Sequence, residues 1–130
     1  MVVSKKFSFD AAHLLPKYKG KCNKLHGHHW VVELACNGTV AEDTGMVVDF
    51  NELRKFCNIF EEKFDHTYLN DILPNPTAEN ICRYIYDEFN IWCVTHGVAF
   101  EYIRIWETPN SMVELPLDRL GGHEEAYHRR

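Results

Sequence analysis

"HGHHWVVELACN", residues 26–37, decides the fold. Its even positions hold His26, His28, Trp30, Val32, Leu34 and Cys36. A period of two, with the bulky apolar side chains on one parity, is the pattern of a strand with one buried face. Toward the N-terminus, "VVSKKFSFDAAH" places Phe7, Phe9, Ala11 and His13 on one parity and reads as a preceding strand. A loop with Pro16 and Gly20 joins the two. Toward the C-terminus, "NGTVAEDTG" is turn chemistry, and "MVVDF" leads into a helix.

Asp49 suits the N-cap of that helix, with Glu52 as its capping-box partner. Phe50, Leu53, Phe56, Cys57, Phe60 and Phe64 recur at helical spacing and predict the buried stripe. "DHTYLNDILPNP" reads as a polar, proline-bearing connection. A second helix is predicted from Thr77 as N-cap, carrying Ile81, Ile85, Phe89 and Trp92 and closed near Gly97. "VAFEYIRIWE" and "MVELPL" then read as strands around a "TPNS" turn. The order β-β-α-α-β-β predicts an α+β domain with two helices on one face of a four-stranded antiparallel sheet. Such a sheet has two open edges, and pairing them between subunits would close a barrel, so an oligomer is expected.

The 130-residue chain is long enough for one domain with a real core. Its net charge of −5 and lack of a basic stripe argue against a nucleic-acid partner. No apolar run reaches the roughly 20 residues that cross a bilayer. "MVVSKKFSFD" lacks the apolar stretch of a secretory signal, which predicts a cytoplasmic location. Five scattered cysteines do not suggest a disulfide framework. Cys36, Cys57, Cys82 and Cys93 are expected as buried thiols.

His26 and His28, two apart on a strand, share a face and lie about 6.6 Å apart along it. His13 ends the preceding strand and approaches the same point if the two strands pair. Three imidazoles with an open position form the ligand set of a catalytic zinc, although the spacing equally fits hydrogen-bonding histidines at a surface. His29 has the opposite parity, and His96, His123 and His128 fall in loop or tail. Cys22 fits two roles, a fourth ligand that closes the zinc or a thiol base beside it. Asp65-His66 fits an imidazole oriented by a carboxylate, or simply a surface turn. Glu107, at a strand end, suits a planar edge of ring N–H and amino groups, or solvent.

Together "FSFDAAH", "CNKLHGHHW", "TGMVVDFNELR", "FDHTYLND", "NPTAEN" and "WETP" resemble the successive motifs of the 6-pyruvoyltetrahydropterin synthase / 6-carboxytetrahydropterin synthase family. The motifs run from about Lys5 to Leu115. The resemblance implies the tunnelling fold (T-fold), in which ββααββ subunits form trimeric barrels that stack into a hexamer. It implies zinc on His13, His26 and His28, a catalytic set of Cys22, Asp65 and His66, and Glu107 holding the pterin ring. Thr77 matches a family threonine near the pterin. The implied substrate is 7,8-dihydroneopterin triphosphate. The spacing C-x-x-x-H-G-H and the "VVDF" stretch resemble the 6-carboxytetrahydropterin branch, which releases acetaldehyde and triphosphate in queuosine biosynthesis. The 6-pyruvoyl product is the neighbouring alternative. Zinc-dependent hydrolysis and a non-catalytic, zinc-stabilised pterin-binding module are further ones. Thr67 departs from members that carry a second histidine there. Lys5, Lys6, Lys21 and Lys24 are candidates for the triphosphate, their ordinary role being solvated surface. Residues 1–117 are expected as one domain and 118–130 as a polar tail.

Overall fold

The computed structural model of the chain describes residues 1–20 and 24–117. Its elements are β1 (Val2–His13), β2 (His26–Asn37), α1 (Phe50–Phe64), β3 (Thr67–Tyr68), a 3-10 turn (Leu69–Asp71), α2 (Ala78–Thr95), β4 (Ala99–Thr108) and β5 (Ser111–Pro116). They form one sheet in the order β3-β1-β2-β4-β5, with both helices over one face.

Strand parity makes this arrangement. Phe7, Phe9 and Ala11 of β1 and Trp30, Val32, Leu34 and Cys36 of β2 face the helices and are buried. Leu53, Phe56, Cys57, Phe60 and Phe64 of α1 pack onto them, as do Ile81, Cys82, Ile85, Phe89 and Cys93 of α2. Each fully buried Leu, Ile or Phe contributes about 1.5–3 kcal/mol. Phe9 is the hinge of the packing, with its ring 6.1 Å from Trp30 and 5.1 Å from Phe64. It thereby ties the end of α1 to the histidine-bearing end of the sheet. Burial pushes the Cys36 thiol up to about 11 and those of Cys57, Cys82 and Cys93 to about 12, so all four are inert core residues.

The sheet differs from the four-stranded antiparallel expectation. Within the connection after α1, Thr67 and Tyr68 form a fifth strand, parallel to β1 at Ala11 and Ala12. Two residues leave no periodicity to read, and the pairing is fixed by β1 rather than by local sequence. Three further details also differ. Phe50, the first residue of α1, lies beyond the packed turns and is 54% exposed. Asp49 caps α1 by accepting from the Asn51 amide, while Glu52 pairs with Lys55 instead of reaching back. His96 is no free loop residue, because it stacks on Trp92 at 4.1 Å and its Nδ1 meets the Trp92 carbonyl. Thr77 caps α2 as expected, accepting from the Asn80 amide, and Gly97 follows that helix at φ 71°. Among the described residues, no helix is long and apolar enough to cross a membrane.

Candidate metal centre

The register of β1 and β2 builds the site. His13 pairs directly with His26, and Ala11 pairs with His28. All three imidazoles therefore stand on the helix-facing side, at one end of the sheet. Trp30, fully buried, forms the wall beneath them, with its ring edge-on to His13 at 5.1 Å and to His28 at 5.5 Å. Its indole N–H donates to the Ala11 carbonyl at 3.3 Å, which fixes that wall against β1.

The fourth member comes from β4. Trp106 pairs with Met112 and Thr108 with Ser111, so Glu107 is the extra residue of a bulge. Glu107 keeps the parity of Ile103 and Ile105, which are buried on the helix-facing side, so alternation along β4 sets its carboxylate on the face that carries the histidines. Glu107 Oε1 lies 3.1 Å from His28 Nε2 and 3.3 Å from His13 Nε2. His13 Nε2 and His26 Nε2 are 2.9 Å apart. One ligand atom from each of these four residues lies within 4.8 Å of all the others.

The chemistry of the donors fits a divalent metal. His13 Nδ1 lies 2.8 Å from the Pro76 carbonyl, and His26 Nδ1 lies 2.8 Å from the Lys24 carbonyl. A carbonyl can only accept, so both Nδ1 atoms carry the proton and both Nε2 atoms present lone pairs. Two lone pairs facing each other at 2.9 Å repel unless a cation lies between them. A proton is a poor candidate, because burial lowers the pKa of His13. Burial lowers that of His28 as well. His28 Nε2 is buried with no hydrogen-bond partner, although Glu107 Oε1 lies 3.1 Å away. Ligand bonds of roughly 2.0–2.1 Å in a tetrahedron set ligand atoms about 3.3 Å apart, close to the three short separations here.

The family motifs acquire structural meaning around this cluster. Asn80 Nδ2 donates to the Asn75 carbonyl at 2.8 Å, and the Thr77 amide donates to the same oxygen at 2.9 Å. That turn presents the Pro76 carbonyl to His13. The Asn70 side chain bonds both backbone groups of Leu14, at 2.9 and 2.7 Å, and so holds the chain just beyond His13. Sequence reasoning assigned no role to Asn70, Pro76 or Asn80. The only available signal was their place inside ordered motifs. Thr77 spends its hydroxyl oxygen on the helix cap.

Asp65 and His66 follow α1 directly. Asp65 Oδ1 accepts the Asp10 amide at 2.9 Å, and the His66 amide donates to the Asp10 carbonyl at 2.7 Å. The pair thus clamps β1 three residues before His13. The His66 ring is 81% exposed and its Nε2 is 3.5 Å from Asp65 Oδ2. His66 has φ 57°, uncommon for a residue with a side chain. A cleft of about 510 Å³ is lined by Ala11, Ala12, Gly27, His28, His66 and Thr67, among others, so His66 and a candidate ligand face one space. A Cβ at Gly27 would meet only the Ala11 carbonyl, at 3.8 Å, so the bare backbone there leaves room in the cleft.

His29 points to the opposite face, where Asp10 Oδ1 is 2.8 Å from its Nδ1. Lys5 Nζ lies 6.0 Å from the Phe50 ring and Lys6 Nζ lies 4.9 Å over Trp106, so adjacent parity divides these lysines between two faces. Lys24 is exposed. Cys22, Lys21 and the 118–130 tail, with His123 and His128, lie outside the described residues.

The family model described as 6-pyruvoyl tetrahydropterin synthase matches residues 2–117. The chain belongs to that family. It is 39% identical over 115 residues to a protein of Archaeoglobus fulgidus provisionally named 6-carboxy-5,6,7,8-tetrahydropterin synthase, covering 88% of this chain and 95% of the relative. It is 41% identical to the Synechocystis protein of that name, over 65% of this chain and 71% of the relative. A Pyrococcus furiosus relative, 33% identical over 83% of this chain and 90% of its own length, is named dihydroneopterin monophosphate aldolase. Among solved structures, the Caenorhabditis elegans 6-pyruvoyl tetrahydropterin synthase superposes with a TM-score of 0.79 at 25% identity, covering 91% of this chain and 96% of that one. The α+β fold, with its five-stranded sheet and two helices, is the tunnelling fold of this family.

Proposed function

We propose that the chain is a zinc-dependent 6-carboxy-5,6,7,8-tetrahydropterin synthase. On this reading it is a lyase that converts 7,8-dihydroneopterin triphosphate and water to 6-carboxytetrahydropterin, acetaldehyde and triphosphate in queuosine (7-deazapurine) biosynthesis. The observation that carries the proposal is the convergence of His13, His26 and His28 Nε2 in a chain similar to relatives named for this synthase. His13, His26 and His28 would hold the zinc, which when bound would supply Lewis-acid polarisation of the substrate's side-chain hydroxyls. Cys22, as thiolate, takes the proton from an adjacent C–H. His66, with Asp65 at its ring, moves protons as general acid and base on the facing side of the cleft. Glu107 accepts from the amino and ring N–H groups of the pterin, and Thr77 lies near the ring.

The protein is proposed to act as a homo-oligomer, a hexamer built from two trimeric barrels, in the cytoplasm. The sheet edges support this. Among the described residues, the outer side of β1 is paired only at Ala11 and Ala12, and β5 forms the other edge.

The Pyrococcus furiosus relative favours a second reading, cleavage of dihydroneopterin monophosphate by an aldolase. One product assay separates these. Purified protein is incubated with the triphosphate and the monophosphate in parallel. Acetaldehyde together with triphosphate is the expected result. Turnover of the monophosphate alone supports the aldolase, and a pterin that keeps its three-carbon side chain supports the 6-pyruvoyl synthase. Binding of pterin without turnover of either compound would leave only a zinc-stabilised binding module.

A further inference from the structure

We infer that Glu107 is an exchangeable fourth ligand, which closes the metal centre in the absence of substrate and leaves it for the ring edge of the pterin. The inference rests on the proposed function for the identity of the incoming ligand. Its first half rests on geometry alone.

Three neutral imidazoles bring no negative charge to a divalent cation. Glu107 is the anionic member of the cluster, and its place on β4, in parity with the buried Ile103 and Ile105, sets it on the histidines' face. Its Oε1 is as near to His28 Nε2 and His13 Nε2 as ligand atoms on one tetrahedral ion are to each other. The vertex that the sequence leaves open for substrate is thus within reach of a carboxylate of this chain.

The same carboxylate is drawn in two directions. A paired amino group and ring N–H engage both of its oxygens side by side and draw on the negative charge that ligation needs, so the two partners compete for it. The side chain is 30% exposed, enough for a ligand from solvent to reach it. Arrival of the ring edge at Glu107 and opening of the metal are then one event. A molecule without that pair of donors finds the fourth position occupied. Selection for pterins is in this way built into access to the metal as well as into the ring pocket.

Cobalt(II) substituted for zinc reports its ligands through visible absorption. The probe is unsubstituted pterin, which carries the ring-edge donors but no side-chain hydroxyls to offer the metal. In wild type, pterin is expected to change the cobalt spectrum at the same concentrations at which it binds, followed by its own fluorescence. Glu107→Gln is expected to show an altered cobalt spectrum before any pterin is added. It should also bind metal more weakly by at least the roughly 10–100-fold that loss of an outer hydrogen-bonding partner costs. Identical cobalt spectra and metal affinities in wild type and Glu107→Gln would overturn the inference. So would pterin binding to wild type with no spectral change, and this second measurement decides the matter even if the variant does not fold. Failure of wild type to bind pterin at all would instead count against the proposed function, while the comparison with Glu107→Gln would still decide whether Glu107 is a ligand.

Discussion

His13 and His26 sit opposite each other on β1 and β2, with their Nε2 atoms 2.9 Å apart and each Nδ1 held by a backbone carbonyl. The carbonyls fix the tautomers, and the strand register fixes the positions. The side of each ring that faces the cluster is therefore determined by backbone, and little rearrangement would be needed for a metal to bind.

His26→Ala removes one of these lone pairs and leaves two imidazoles and a carboxylate. Wild type is expected to hold one zinc per subunit, and the variant to lose most of it at equal free metal. Metal analysis after gel filtration measures both. Full occupancy in His26→Ala would remove His26 from the site.

Asn80→Ala changes a residue outside the histidine–glutamate cluster. It deletes the bond to the Asn75 carbonyl that shapes the turn presenting Pro76 to His13. The hydrogen bond itself is worth about 0.5–1.5 kcal/mol of stability. Partners that orient a ligand commonly cost 10–100-fold in metal affinity when lost, so roughly tenfold is expected. Zinc affinity by chelator competition, read beside the thermal midpoint, separates the two effects. A lowered midpoint with unchanged affinity would make Asn80 a purely structural residue.

These supports show where the sequence was legible. Parity along β1 and β2 placed His13, His26 and His28 on one face because period two is a local property of extended chain. The cap at Thr77 and the Gly97 terminus were equally local. The two-residue β3 was not, since its partner lies more than fifty residues away in β1. Glu107 was visible as a strand-end carboxylate, and its parity with Ile103 and Ile105 is local, but its approach to the histidines depends on β4 lying beside β2, which no local pattern gives. Phe50 fitted the helical stripe but came at its first turn, where the sheet no longer covers it. The resemblance supplied what periodicity could not, namely pairing the Asp65-His66 turn with a cleft built from β1 and β2.

The metal-free protein should be acid-sensitive for a defined reason. Burial holds the pKa values of His13 and His28 below the ordinary 6.5. Below about pH 6.5 the unfolded chain takes up protons at these positions while the folded chain does not, so stability falls with falling pH. Above that value both states are neutral there, and these groups add no slope. Urea midpoints of chelator-treated protein should be flat on the alkaline side of 6.5 and decline toward about pH 5. In His13→Asn that decline should be shallower. The same decline in wild type and His13→Asn would exclude His13 as a source.

Cys22→Ala distinguishes a ligand from a base. The described cluster already offers three imidazoles and a carboxylate, so zinc retention does not require a thiolate. The variant is expected to keep its zinc and its oligomer and to turn over roughly 10²–10⁴-fold more slowly, the usual cost of a lost general base. Loss of zinc from Cys22→Ala would make the thiol a ligand, and near-normal turnover would leave it without a role.

His66 offers the sharpest separation of stability from activity. Its φ of 57° is a conformation that residues with a Cβ adopt at a cost of about 1–2 kcal/mol, and that glycine adopts freely. Its ring is 81% exposed, so folding gains little from its packing. The backbone bond from its amide to Asp10 survives any substitution except proline. His66→Gly should therefore melt at or above the wild-type temperature, since relief of strain opposes the entropy that glycine adds to the unfolded chain. It should bind zinc normally, because the three ligands and their carbonyl partners are untouched. Turnover should fall by roughly 10²–10⁴-fold if the ring moves protons at the cleft. His66→Asn, which tolerates positive φ but carries no titratable ring, should be equally slow. A destabilised His66→Gly would mean that the ring packs in the assembled protein. A fully active His66→Asn would mean that the strained turn serves only to clamp β1.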